Sequence, residues 1–411
     1  AGNPFGVYNV IFRIDDGVNQ PVVVFAGGTV NLVPNPPPTA EILFPPPAAA
    51  TDATQLTVTG RSEDVTGTRF VRVNGEVAST TDRFKTWQIV VDLIPDQVNV
   101  VTVETQDDLA NTDPAAATLF IDTRVGQPVG SGIAFGTLLC AAFDPIDERV
   151  IALDGRVIAV DFATSVRTLL SGGGPAFQDP VCVRLDAGGS AFVVDGTLRA
   201  VFRVDSQTGD RFILSDDARG AGPAFVDPRV VALNEQDNSL VVLDGSGTVL
   251  RVDIPTGDRR VLSGSGVGVG PDFVDPVGLA LDPFRPVAYV TDRNLDAVFS
   301  VDFAGGQRQI LSALGVGTGT TFVEPGGLAI DPARNRALVA DAGRAAIIGV
   351  SLFTGDRTIV SGPGDARGTL LVGPVDVTVD VLGGRMFVTD PGAAAIYALE
   401  LVNGDRVVFS R

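Results

Sequence analysis

The chain has 411 residues, with 30 Lys+Arg against 49 Asp+Glu and a net charge of −19; such a surface repels phosphate backbones and anionic lipid, which argues against nucleic acid and membranes as partners. Histidine is absent, so Ser-His-Asp and Cys-His catalysis, His-ligated zinc and HExxH sites are excluded. Hydrophobic residues make up 45 %, alongside 48 Gly and 27 Pro, which is enough for a sizeable core cut by many tight turns and reads as all-β.

The chain opens at Ala1 with no initiator Met and no charged-then-apolar leader, as expected of a mature form whose signal peptide has been removed. No apolar run approaches the ~18 residues of a membrane span. The expected location is extracellular or at the cell surface, with no membrane insertion.

Residues 1–38 read as a β extension with a Pro-rich linker. Val7-Tyr-Asn-Val-Ile-Phe-Arg-Ile, Pro21-Val-Val-Val-Phe and Val30-Asn-Leu-Val predict three strands, set off by Pro34-Asn-Pro-Pro-Pro. Three short strands do not bury themselves, so they need a partner sheet in this chain or in another. The apolar strand offers Val7, Tyr8, Val10, Ile11, Phe12 and Ile14 as subunit-contact residues, and a further copy of the chain as the expected partner.

Residues 39–124 predict a separate β-sandwich. Strand signals run from Ala40-Glu-Ile-Leu-Phe through Leu56-Thr-Val-Thr-Gly, Val71-Arg-Val-Asn-Gly, Phe84 to Val91, Val98 to Thr105 and Ala117 to Asp122, at sandwich spacing. With a Val73-Asn-Gly75 hairpin, a Trp87-bearing strand and Asp107-Asp108 before Asn111, the region resembles bacterial Ig-like modules. In secreted enzymes and surface proteins these are spacers or adhesive units, so the resemblance implies no chemistry.

Residues 125–411 restate one sentence six times. Its closing serines are Ser171, Ser215, Ser263, Ser312, Ser361 and Ser410, each preceded four residues earlier by arginine: Arg167, Arg211, Arg259, Arg308, Arg357 and Arg406. Each copy holds four short apolar runs, near 327–331, 336–341, 346–352 and 357–361 in the fifth, which is the arithmetic of a propeller blade. Thr-Gly-Asp or Asn-Gly-Asp at Thr208, Thr256, Thr354 and Asn403 supplies a positive-φ glycine between the last two strands. No strand is evidently exchanged across the seam. The phrase Phe273-Val-Asp-Pro-Val-Gly-Leu-Ala-Leu-Asp followed by Ala288-Tyr-Val-Thr-Asp resembles NHL-repeat six-bladed propellers, which serve as binding platforms, scaffolds and occasional lyases. The expected fold class is thus all-β: a six-bladed β-propeller with an N-terminal Ig-like β-sandwich and an N-terminal β-strand extension.

The chemistry in the repeat is thin. Asp154, Asp195, Asp244, Asp292, Asp341 and Asp390 close the second strand of each copy. As a ring of hard oxygens they would suit Ca²⁺ or a polyhydroxylated ligand, but their regular recurrence reads as turn capping within each blade. Asp144, Asp186, Asp282, Asp331 and Asp380 read the same way. In five of the six copies the arginine is expected to pair across strands with an acid: Asp161, Asp205, Asp253, Asp302 and Glu400.

Cys140 and Cys182 hold the same position in adjacent copies, five residues after Phe135 and Phe177. In an exported protein this leaves two alternatives open: a disulfide, if the Cα atoms lie within ~7 Å, or two buried thiols. The NHL-type lyases that the propeller resembles rely on histidine, which is missing here. The lactonase-type propellers bind metal through Glu and Asn at inner-strand positions that here read Leu139, Val181, Arg229, Val277, Gly326 and Val375. The resemblance therefore implies no catalytic residue and no metal site, and Ca²⁺ is the one cofactor kept in view. Arg184, Arg229 and Asp376 are the polar departures on the inner strands, placed to line a channel or to pair locally.

The expected function is a non-catalytic extracellular structural protein, a self-assembling filament or surface-fibre subunit. The alternative is a surface adhesin or glycan-binding platform, which would want exposed aromatics. Only Trp87, Tyr8, Tyr289 and Tyr397 supplement the phenylalanines, and all fall in predicted strands.

Overall fold

The structure, a computed structural model, describes residues 35–264 and 266–411 together with the backbone of two earlier strands. These two, β1 (Val7–Ile14) and β2 (Val22–Asn31), form an antiparallel two-stranded sheet. The predicted second and third strands are one: β2 runs through Ala26-Gly-Gly, and the register slips opposite those residues, between Asn9 and Ile11. Glycine in a strand interior tolerates this irregularity, where larger residues would have kept the ladder in step. The side chains of the proposed contact residues Val7, Tyr8, Val10, Ile11, Phe12 and Ile14 lie outside the described residues.

Eight strands follow: β3 (Thr39–Phe44), β4 (Ala48–Ala50), β5 (Gln55–Glu63), β6 (Thr68–Val73), β7 (Glu76–Val77), β8 (Thr86–Asp92), β9 (Val98–Asp107) and β10 (Thr112–Asp122). The chain divides into two compact units, one holding 61–87, 102–118 and the chain up to Glu41, the other 42–60, 88–101 and 119–411. In the first unit β6 pairs with β7 across Asn74-Gly75, both at positive φ, as a tight two-residue hairpin requires. Asp107 there caps its turn by accepting from the Leu109 and Asn111 amides at 2.9 and 2.7 Å.

The rest of the second unit is six quartets of antiparallel strands in strict sequence order. They are β11 (Cys140–Asp144), β12 (Arg149–Leu153), β13 (Val157–Asp161) and β14 (Arg167–Leu169); β15 (Pro180–Leu185), β16 (Ala191–Asp195), β17 (Ala200–Val204) and β18 (Arg211–Ser215); and β19 (Pro228–Asn234), β20 (Ser239–Asp244), β21 (Thr248–Asp253) and β22 (Arg259–Ser263). The second half comprises β23 (Pro276–Leu281), β24 (Val287–Asp292), β25 (Ala297–Asp302) and β26 (Arg308–Ser312); β27 (Pro325–Asp331), β28 (Arg336–Asp341), β29 (Ala346–Ser351) and β30 (Arg357–Ser361); and β31 (Asp376–Asp380), β32 (Arg385–Asp390), β33 (Ala395–Glu400) and β34 (Arg406–Ser410). Each innermost strand packs on its neighbours, and β11 meets β31, so the ring closes into a six-bladed propeller.

The second and third strands of a blade have neighbours on both faces and therefore read as continuous apolar runs rather than alternating ones. In β16 every residue of Ala191-Phe-Val-Val-Asp is buried. Phe192, Phe202, Phe299 and Phe387 lie among the largest fully buried side chains. At ~25 cal/mol per Å² of buried apolar surface, these inter-blade layers are the main source of stability.

The repeated arginines do not make the predicted cross-strand ion pairs. Each reaches back into the preceding blade, where its Nη1 donates to that blade's closing serine: Arg259 to Ser215 Oγ at 2.6 Å, Arg308 to Ser263 at 2.9 Å, Arg406 to Ser361 at 2.7 Å. Their Nε atoms donate to a loop carbonyl, Pro223 O for Arg259 and Pro271 O for Arg308. Five of the guanidinium groups also stack over the repeat's phenylalanine, for example Arg211 over Phe177 at 5.1 Å, a contact worth about 0.5–2 kcal/mol. The sixth has Leu371 in place of the ring. The acids expected as partners cap their own turns instead; Asp205 accepts from the Gln207 and Thr208 amides at 2.8 and 2.9 Å.

The same latch shuts the seam. Arg167 Nη1 donates to Ser410 Oγ at 2.8 Å and to Arg411 O at 3.0 Å, while the Arg411 amide donates to Val129 O at 3.1 Å. Among the described residues no strand is exchanged between the first and sixth blades.

The sixth blade carries an addition that the sequence does not announce. β4 pairs in parallel with Phe120–Asp122 of β10 and, at Ala50, antiparallel with Val408 of β34. The Thr57 amide donates to the buried Asp405 Oδ2 at 2.9 Å, and Arg385 Nη1 donates to Leu43 O at 2.6 Å.

Candidate functional site

The repeated aspartates are structural. Asp244 accepts from the Val226 and Asp227 amides, Asp292 from Val274 and Asp275, and Asp390 from Val372 and Gly373, each anchoring the entry to its own blade's inner strand. Asp144 and Asp282, after the first strand, accept from the turn amides of Ile146 and Phe284. Among the described residues no group of three or more acids and cysteines is arranged to hold a metal ion.

The inner strands break the repeat on one side of the channel. At one level the six positions are Cys140, Cys182, Val230, Gly278, Gly327 and Asp376, and all six line a cavity of about 70 Å³. Crowding is severe here: a Cβ on Gly278 would stand 2.6 Å from Gly326 O. Arg184 comes up from two residues further along the same strand of the second blade. Its Nη1 donates to Cys140 Sγ at 2.9 Å and Ala141 O at 3.2 Å, and lies 3.4 Å from Asp376 Oδ2 of the sixth blade. Asp376 also accepts from the Ala141 amide at 3.1 Å. One ion pair therefore ties the sixth, first and second blades across the seam. Arg229 likewise pairs locally, with Asp227 at 2.8 Å and Asp275 at 2.6 Å.

In the reduced form Cys140 and Cys182 are buried thiols whose sulfurs stand 3.3 Å apart. Desolvation, then the sulfur–sulfur hydrogen bond, pushes the Cys140 thiol up. For Cys182 desolvation also pulls upward, but the bond from Cys140 and the Arg184 charge outweigh it and the net direction is down.

Beyond Arg184 the channel widens into a mouth of about 430 Å³. Its wall is made by the last apolar residues of successive inner strands, Leu185, Leu233, Leu281, Ile330 and Val379, with Asn234 and Gln236 at the rim. A second cavity of about 310 Å³ opens between the third and fourth blades and shares Asn234, Gln236 and Asp282 with the first. Three arginines line it. Arg251 and Arg260 stand directly opposite one another in the β21–β22 ladder, a like-charge pairing that costs stability. Asp237 balances Arg251 at 2.9 Å and Asp282 balances Arg285 at 2.6 Å, which leaves Arg260 as the surplus charge. Sequence reading passes over this groove because its residues come from two copies and differ from the repeat only in pairs; Arg251 and Arg260 replace Ser300 and Gln309 of the next blade.

Among the described residues the tryptophan and the tyrosines are interior. Trp87, Tyr289 and Tyr397 are buried in β8, β24 and β33. Burial pushes the Tyr397 hydroxyl up to about 12, and it donates to Leu370 O at 3.0 Å.

No family model and no curated relative matches the sequence. Solved structures do share the fold. A structural genomics protein of unknown function from Bacteroides thetaiotaomicron VPI-5482 aligns with TM-score 0.52 at 14 % identity, over 92 % of this chain and 98 % of that one. An auxiliary nutrient binding protein from the same organism aligns with TM-score 0.53 at 12 % identity, over 89 % and 98 %. One of the same description from Bacteroides ovatus ATCC 8483 aligns with TM-score 0.52 at 14 % identity, over 89 % and 98 %. At these identities the likeness is one of fold. No helix among the described residues is long and apolar enough to cross a membrane.

Proposed function

We propose that the protein is a non-catalytic extracellular structural protein that associates with copies of itself through its N-terminal hairpin, as a filament or surface-fibre subunit does. The observation that supports this reading is that β1 and β2 pair only with each other among the described residues. An isolated two-stranded hairpin is marginal in water and leaves two free edges on which a sheet of another molecule can be extended. The lack of histidine and the assignment of the repeated acids to turns fit a role without catalysis. Negative-stain electron microscopy of the full chain beside a variant lacking residues 1–34 tests it. Filaments that vanish on truncation are expected; discrete particles in both samples, or filaments in both, overturn the reading.

A second reading has its own support in the cavity between the third and fourth blades. We propose as the alternative a propeller platform for an anionic glycan, held by Arg251, Arg260 and Arg285. Two of the similar folds belong to proteins described as nutrient-binding. Binding of an oligogalacturonate, measured by calorimetry and weakened at least tenfold by Arg260→Glu, is the expected result; equal binding by the variant, or none by either protein, removes it.

A further inference from the structure

We propose that Cys140 and Cys182 form a disulfide that joins the first and second blades at the channel wall. They are the only two cysteines in 411 residues, and they occupy the same register of adjacent inner strands. The repeat supplies no reason for them, since its other copies place Val230, Gly278, Gly327 and Asp376 there. Their sulfurs already touch at 3.3 Å, so a bond of roughly 2.05 Å asks for a closure of about an ångström, which small side-chain rotations supply.

Thiol–disulfide exchange runs through a thiolate. The oxidant is a disulfide-bearing oxidoreductase or small disulfide of an oxidising compartment. One cysteine thiolate attacks a sulfur of that disulfide and releases the other as a thiolate, giving a mixed disulfide. The second cysteine thiolate attacks the first cysteine's sulfur and expels the remaining oxidant thiolate. The protein loses two electrons and two protons; the oxidant's disulfide becomes two thiols. Each cysteine is only 3 % exposed in the closed ring, so the exchange precedes closure of the blades, and the finished bond is shielded from reductants in solution.

The test uses the full chain exported through an oxidising compartment and unfolded directly into iodoacetamide without reductant. Expected are no alkylated cysteine, an intact mass lighter by two hydrogen atoms than the reduced sample, and a cross-linked peptide containing both residues. Two alkylated cysteines overturn the proposal, as does a disulfide-linked dimer on a non-reducing gel. A second measurement needs no variant: dithiothreitol added to the folded protein is expected to leave the bond intact and to cleave it once denaturant is present. Equally fast cleavage with and without denaturant contradicts the buried placement on which the inference stands.

Discussion

The fifth and sixth blades carry nearly the same words and end differently. In β30, Arg357-Thr-Ile-Val-Ser, Thr358 is exposed and Ile359 half-buried; in β34, Arg406-Val-Val-Phe-Ser, every residue is buried. The turn acids differ in parallel. Asp356 is half-buried and holds Thr318 and Thr354 of its own surroundings, whereas Asp405 is buried and accepts from the amides of Thr57 and Arg367, both at 2.9 Å. A repeat fixes backbone geometry, but two or three apolar replacements on the outermost strand decide whether that edge faces water or takes another segment of chain.

The largest effect should come from removing the arginine under the covered edge. Arg406→Ala removes the donor to the buried Ser361 hydroxyl and Gly362 carbonyl and to the part-buried carbonyls of Ala366 and Thr369, and is expected to cost about 3 kcal/mol in denaturant unfolding. Arg211→Ala, at a more open latch with a 3.3 Å contact to Ser171, should cost about 1 kcal/mol. Equal losses would erase the distinction between covered and open edges.

Next, Asp405→Ala is expected to cost about 2 kcal/mol, because the Thr57 and Arg367 amides lose their acceptor. Asp356→Ala should cost much less, and a comparable loss in the same thermal scan would show that turn capping rather than edge covering matters. Ser410→Ala removes the acceptor of Arg167 at the seam and should cost about 1 kcal/mol; a much larger loss would mean that ring closure depends on this junction more than on the others.

The smallest effect is in the pH profile. Burial raises the Glu400 carboxyl above its usual 4.5, so its contribution is fully present below that value and is lost as pH rises through the raised one. Hydrogen bonds from Thr354 and Thr318 lower Asp356 below its usual 3.8, so its contribution is present above that value and is lost as pH falls through the lowered one. The two contributions are therefore fully present together between pH 3.8 and 4.5. Glu400→Gln should flatten the alkaline side only, and a change on the acid side alone would contradict the assignment.

Blade number, strand limits within two residues and the glycine turns were legible because the repeat samples each position six times. The arginine contacts were misread for a reason the same repeat contains. Arginine and serine recur together in every copy, but their contact is between copies, 40 to 45 residues apart for the pairs that follow one another in sequence, and neighbouring acids on the next strand offered a nearer partner. β4 was invisible because Pro45-Pro-Pro-Ala-Ala-Ala carries neither β-branched residues nor alternation; its place is dictated by the apolar edge it covers. The channel departures Arg184 and Asp376 stood out by breaking a pattern, yet only the folded ring brings residues 192 positions apart within 3.4 Å.

The Arg167–Ser410 contact at the seam is of the same kind as the five made inside the chain. Where the ring is cut therefore matters little to the ring itself. A circular permutant opened in the loop between any two other blades, with Arg411 joined to the start of the first, would retain all six contacts. The natural cut is distinguished by what it leaves beside the seam: a sixth blade whose outer edge is free to be sealed by chain arriving from ahead of the propeller.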